Sequence, residues 1–147
     1  MAKQYWLVKS EPGAYSWERF VRDADQKGAE HWDGVRNYQA RNNMRAMKLD
    51  DLVLFYHSVK EKRVVGVATV TREHYQDPTT DDERWSVVDL APVIAVAEPV
   101  TLATIKAEPK LSEMALIKQS RLSVMPVAKA EFNLILKLAK TKMPKGR

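Results

Sequence analysis

The chain has 147 residues, 45% of them hydrophobic and 29% charged, with a formal net charge of +5. That length suits one domain, and the apolar content supports a buried core and is too high for a disordered chain. With no cysteine there is no disulfide, no thiol nucleophile and no cysteine zinc site; no stretch approaches the roughly 20 apolar residues that span a bilayer.

The first apolar run, Tyr5 to Val8, is too short for a signal-peptide core, so a cytoplasmic protein is expected. The positive charge favours an anionic partner, nucleic acid first. A frayed basic tail over residues 142–147 would account for part of the same excess.

Gln4 to Lys9 reads as a strand ended by the Pro12-Gly13 turn. Ser16 can cap a helix from Trp17 to about Asp25, with Phe20 and Val21 inward and Gly28 beyond its end. Trp32 to Arg45 is the densest mixture of aromatic, amide and guanidinium groups in the chain. Gly34 marks a loop, and Asn37 can cap a helix whose Ala40, Met44 and Met47 fall on one apolar stripe. Tyr38, Arg41, Asn42 and Arg45 then share the adjacent face. Such a face suits a flat, anionic ligand such as a nucleotide, and equally a solvated basic surface.

Leu52 to His57 reads as a strand buried on both faces, followed by a polar turn at Lys60–Lys62 and a strand from Arg63 to Thr71. Gly66 inside that strand marks a bulge or a close approach to the backbone. Gln76 to Glu83 is an acidic loop. Arg84 to Val96 is strand-like, broken or bulged at Pro92. Short helices after Thr101 and over Leu111–Lys118, a strand at Leu122–Met125 ended by Pro126, and an amphipathic helix over Ala128–Thr141 complete the chain. The order β-α-α-β-β-β-α-β-α predicts an α+β fold around a small, closed or strongly bent, mainly antiparallel sheet.

The three histidines lack metal-ligand spacing, and the five glycines form no phosphate-binding loop. No metal or cofactor is expected. Asp33 suits a general base, and better a turn cap or an arginine partner. Of the four tryptophans, Trp6 and Trp17 belong in the core. Trp32 and Trp85 sit where loops meet ordered elements, where binding residues concentrate. Two such rings can sandwich a nucleobase; core roles also suit both.

Several stretches together resemble the EVE domain family of the PUA-like superfamily, in the pattern of its bacterial members. They are W-L-V-K-S-E-P at 6–12, W-D-G-V-R-N-Y-Q-A-R-N at 32–42, F-Y-H-S at 55–58, W-S-V-V-D at 85–89 and R-L-S-V-M-P-V at 121–127. The resemblance covers nearly the whole chain, as a single domain over 1–147. It implies a small PUA-like β-barrel with peripheral helices, and kinship with domains that handle RNA or modified bases. By the same resemblance, Lys9 and Ser10 would meet the base edge. Trp32 and Trp85 would wall the pocket, Asn37 and Tyr38 would bond the base, and His57 and Ser58 would lie at the floor. Arg36, Arg41, Arg45 and Arg121 would meet phosphate or support the pocket. One departure is Asp50-Asp51, where relatives often carry Gly-Asp.

The expected function is a non-enzymatic module that reads a modified nucleobase, methylated or hydroxymethylated cytosine in DNA, with a nuclease or modification system as a further partner. An RNA-binding module in tRNA or rRNA metabolism is the alternative, and a base-processing hydrolase using Asp33 or Ser10 a third.

Overall fold

The computed structural model describes residues 3–144. β1 (Tyr5–Ser10) leads to α1 (Trp17–Lys27), a two-residue β2 (Glu30–His31) and α2 (Tyr38–Ala46). β3 (Leu52–His57), β4 (Arg63–Gln76) and β5 (Ser86–Thr101) follow as adjacent strands. α3 (Leu102–Ala107), a 3-10 turn (Pro109–Leu111), α4 (Ala115–Lys118), β6 (Val124–Val127) and α5 (Lys129–Leu138) complete the order.

The strands form one mixed sheet in the order β2-β5-β4-β3-β1-β6. β1 and β3 run parallel, and every other neighbouring pair is antiparallel. The fold is therefore α+β as expected, but among the described residues the sheet does not close: its ladder ends at β2 and β6, so of the closed or strongly bent sheet expected, the closed barrel is not formed. Pro126 sits in β6, an edge strand, where its missing N–H breaks no inner ladder bond. The β4–β5 ladder slips register four times, and each bulge adds bend and twist. One slip lies opposite Pro92, so that residue bulges β5 without ending it. β4 also runs five residues past Thr71; its polar end, Arg72 to Gln76, carries no apolar signal and is held by pairing with β5.

Local chemistry sets the helices. Ser16 caps α1 by accepting from the Arg19 amide, and Gly28 closes it at φ +84. Asn37 caps α2 by accepting from Ala40 at 2.9 Å. Ala40, Met44 and Met47 are fully buried, as the stripe requires. The Asn43 amide donates to the Val124 carbonyl at 2.8 Å and ties α2 to β6.

The core between α1 and the sheet is aromatic. Phe20 stacks on Phe55 at 5.3 Å, and Trp17 and Trp32 meet Phe55 edge-on at 5.2 and 5.4 Å. Such pairs add about 0.5–1.5 kcal/mol each beyond their buried area. Trp17 lies so close over β4 that a Cβ on Gly66 would come within 2.6 Å of its ring; the glycine marks a close approach as well as a bulge. Asp51 is buried and accepts from the Gln4 and Lys48 amides and from the Trp6 indole. Asp50 beside it takes φ +70, a left-handed conformation open to glycine without strain.

Of the expected frayed tail, Met143 packs partly buried against the core, and residues 145–147 lie outside the described residues. No helix among the described residues is long and apolar enough to cross a membrane.

Candidate functional site

Three segments converge on a cavity of about 690 Å³: the end of β1 with the turn after it, α1, and the loop from Glu30 to Val35. That volume falls within the range of small-molecule and nucleobase pockets. Trp32 walls it from the core side, 8% exposed, with its amide donating to the Val88 carbonyl at 2.8 Å. Tyr15 meets Trp32 edge-on at 6.1 Å. Gly34, at φ +77, turns the loop so that Val35 returns to the core.

Polar groups line the rest. The Ser10 hydroxyl donates to the Tyr15 carbonyl. Lys9 donates to the Ser120 carbonyl at 2.7 Å, and burial holds its ammonium below the usual lysine range. Burial, with Asp23 and Glu30 nearby, pushes the Tyr15 phenol up, so it stays a neutral donor. Arg19 pairs with Asp23 and Lys27 with Glu30. Glu11 and Asp33 keep acceptor capacity: Glu11 takes the Gly13 amide, and Asp33 meets His31 Nε2 at 3.0 Å. The cavity is thus aromatic on one side, with carboxylates, hydroxyls and the cations Lys9, Arg19 and Lys27 on the other.

A second assembly lies on the outer face of α2. Tyr38 stacks on Trp85 at 5.3 Å with planes 19° apart. Arg41 lies 5.0 Å from the Tyr38 centroid, and Arg36 lies 5.5 Å from that of Trp85. Arg36 is anchored by Asp77 at 2.9 Å. Burial pushes the Asp77 carboxyl up, but hydrogen bonds from Thr79 and Arg36 outweigh it and hold it below the ordinary range. Arg84 donates to the Tyr38 hydroxyl at 3.1 Å and pairs with Asp82, whose carboxyl is lowered to about 2 by that bond. Arg45 donates to the Ser86 hydroxyl at 2.9 Å.

The structure therefore divides the expected residues. Lys9, Ser10 and Trp32 share the cavity. Tyr38 and Trp85 with Arg36, Arg41 and Arg45 form the outer assembly, so Trp85 is not a second wall opposite Trp32. Asn37 and Arg121 border a shallow depression of about 360 Å³ beside Ser120. His57 and Ser58 lie at neither place. The Trp17 amide donates to His57 Nε2 at 3.0 Å, which puts the ring proton on Nδ1, donated to Glu61 at 2.8 Å. His57 thus anchors the start of α1, and the Ser58 amide donates to the Ser10 carbonyl at 2.9 Å. The sequence reading did not single out Glu11, Tyr15, Glu30 or Arg84. Only the adjacency of Glu11 and Tyr15 to the Pro12-Gly13 turn, and of Arg84 to Trp85, pointed toward them.

The EVE domain family model matches residues 4–138. Thymocyte nuclear protein 1 of Mus musculus is 36% identical, over 93% of this chain and 74% of that protein. Among solved structures, protein Atu2648 from Agrobacterium tumefaciens superposes with a TM-score of 0.90 at 43% identity, covering 97% of this chain and 99% of that one. The human THYN1 protein, solved in complex with 5-methylcytosine-containing DNA, gives 0.84 at 34% identity, covering 95% and 99%.

Proposed function

The chain belongs to the EVE domain family, and on that premise we propose that it is a nucleic-acid-binding module that holds one modified nucleobase in the Trp32 cavity. The base is a methylated or hydroxymethylated cytosine in DNA. The observation that carries this is the separation of chemistry between two neighbouring places. The cavity offers an aromatic wall and carboxylates with acceptor capacity left, Glu11 and Asp33, which suit the exocyclic amine of a cytosine. The guanidiniums that no carboxylate answers, Arg41 and Arg45, lie outside it on α2, where a sugar-phosphate backbone would run. The human relative solved with 5-methylcytosine DNA supports the same class of ligand.

In this mechanism the base leaves its stack, at a cost of a few kcal/mol. Contact with Trp32 and Tyr15, hydrogen bonds from Lys9, and hydrogen bonds accepted by the Ser10 oxygen and the carboxylates offset that cost. The methyl group adds about 0.8 kcal/mol by burial, close to fourfold in affinity. No bond in the nucleic acid is made or broken; the module binds, and so would deliver a nuclease or modification enzyme to the modified site.

Ala14 lines the cavity and is exposed at its rim. Ala14→Trp is expected to fill the mouth without touching the core. The variant should lose the preference for 5-methylcytosine over cytosine oligonucleotides while keeping salt-dependent binding to both. A variant that folds and keeps the full preference would place the base elsewhere.

A further inference from the structure

The outer face of α2 carries more positive charge than its own fold uses. Arg41 and Arg45 stand four residues apart, and both donate to the Arg84 carbonyl, at 3.2 and 3.4 Å. Like charges at that spacing oppose a helix. Among the described residues their other acceptors are neutral: the Asn42 amide, the Ser86 hydroxyl and the Glu83 carbonyl. Arg36 and Arg84 are each matched by one carboxylate, Asp77 and Asp82. Four guanidiniums therefore share two carboxylates, and an anion is what the arrangement lacks.

Beside them, Tyr38 is 51% exposed. It is held in place by the Trp85 ring beneath it and by Arg84 at its hydroxyl. An exposed phenol packed into a fixed plane is a stacking surface set in advance, so little entropy is lost when a flat ligand settles on it. Aromatic plane and unmatched guanidiniums together are what a single nucleotide presents in complement: a π-face and a phosphate.

We infer that Tyr38, Trp85, Arg41 and Arg45 form a second nucleotide subsite, separate from the cavity. It takes an unpaired nucleotide flanking the one in the cavity, with its base against the aromatic stack and its phosphate on the two arginines. This rests on the cavity holding a base, as proposed above. Val35 lines the cavity and Tyr38 follows three residues later, a reach of about 11 Å at most. A strand leaving the cavity past Val35 meets the stack within a few nucleotides. A base inside a duplex has both faces covered, so the subsite makes the preferred ligand single-stranded or locally opened on that side.

The test uses the full chain and a short single-stranded oligonucleotide with one central 5-methylcytosine. An abasic site is walked through the flanking positions, and affinity is read by fluorescence anisotropy. One flanking position is expected to weaken binding about tenfold when its base is removed, as loss of one stacked base does. Tyr38→Ala should erase that penalty, and Tyr38→Phe should retain it. Arg41→Gln with Arg45→Gln should weaken every ligand alike and flatten the salt dependence. Abasic sites that cost nothing at any position, while the methyl preference persists, would overturn the subsite. So would a full abasic penalty in Tyr38→Ala. A position-specific penalty without any methyl preference would keep the subsite and remove the reading of the cavity instead.

Discussion

At the scale of single residues, the site is held by contacts that leave no slack. Trp17 sits against the backbone of Gly66, with no room for a methyl group between them. The same Trp17 packs on Phe20 and Phe55, and those two rings hold Trp32 against the cavity. Gly66→Ala should therefore destabilise the protein by about 1–3 kcal/mol, as overpacking does. Urea unfolding would read this as a lowered midpoint; an unchanged midpoint would mean that the indole moves aside freely. Gly66 was legible in the sequence as a close approach because a glycine inside a β-branched run has few other uses. The identity of the ring above it was not, since 49 positions separate Trp17 from Gly66 in the chain.

At the scale of elements, α2 was legible almost in full. Its cap and its buried stripe are local properties, and Asn37, Ala40, Met44 and Met47 take the places their spacing gives them. β2 was not legible. It has two residues, and its existence depends on the register of Glu30 with Leu90 and His31 with Asp89. The partnership of Tyr38 with Trp85 is likewise tertiary. It depends on the loop between β4 and β5, which reads in sequence only as acidic and Pro-containing. The structure shows that this loop is tethered: the buried Asp77 carboxylate binds Thr79 and Arg36.

That tether gives an acid-sensitive element. Asp77 is a stronger acid in the folded chain than at its ordinary value of 3.8, so folding favours its ionised form. Its contribution is present above about pH 3.8 and is lost as the pH falls through the lower folded value. Asp77→Asn should cost about 1.5–3 kcal/mol at neutral pH, the range for hydrogen bonds to a charged group. Most of that deficit should vanish in strong acid, where the wild type loses the same bonds. Urea midpoints of both proteins at neutral and acid pH would show it. An equal deficit at both would mean that the carboxylate's charge contributes nothing.

At the scale of the whole molecule, the open mixed sheet carries α1 and α2 so that one cavity and one cationic face lie next to each other along the chain. The positive net charge is distributed unevenly with respect to them. The cavity's lysine and arginine charges are mostly answered by carboxylates, whereas Arg41 and Arg45 are not. From sequence, α+β architecture and the importance of Trp32–Arg45 were within reach, because periodicity and motif are local. Closure of the sheet was not, because it depends on whether β2 and β6 meet. Nor was the division of the site in two, because it depends on where a distant loop puts Trp85.

The most direct measurement is a fluorescence-anisotropy titration of the wild-type chain with matched oligonucleotides, one with cytosine and one with 5-methylcytosine, at two salt concentrations. Both affinities should fall as salt rises, since phosphate contacts release counterions. Their ratio should stay at about fourfold or more in favour of the methylated strand, because a buried methyl group is not screened. Equal affinities at both salt concentrations would contradict a base-reading cavity and leave a protein that holds nucleic acid by its backbone alone.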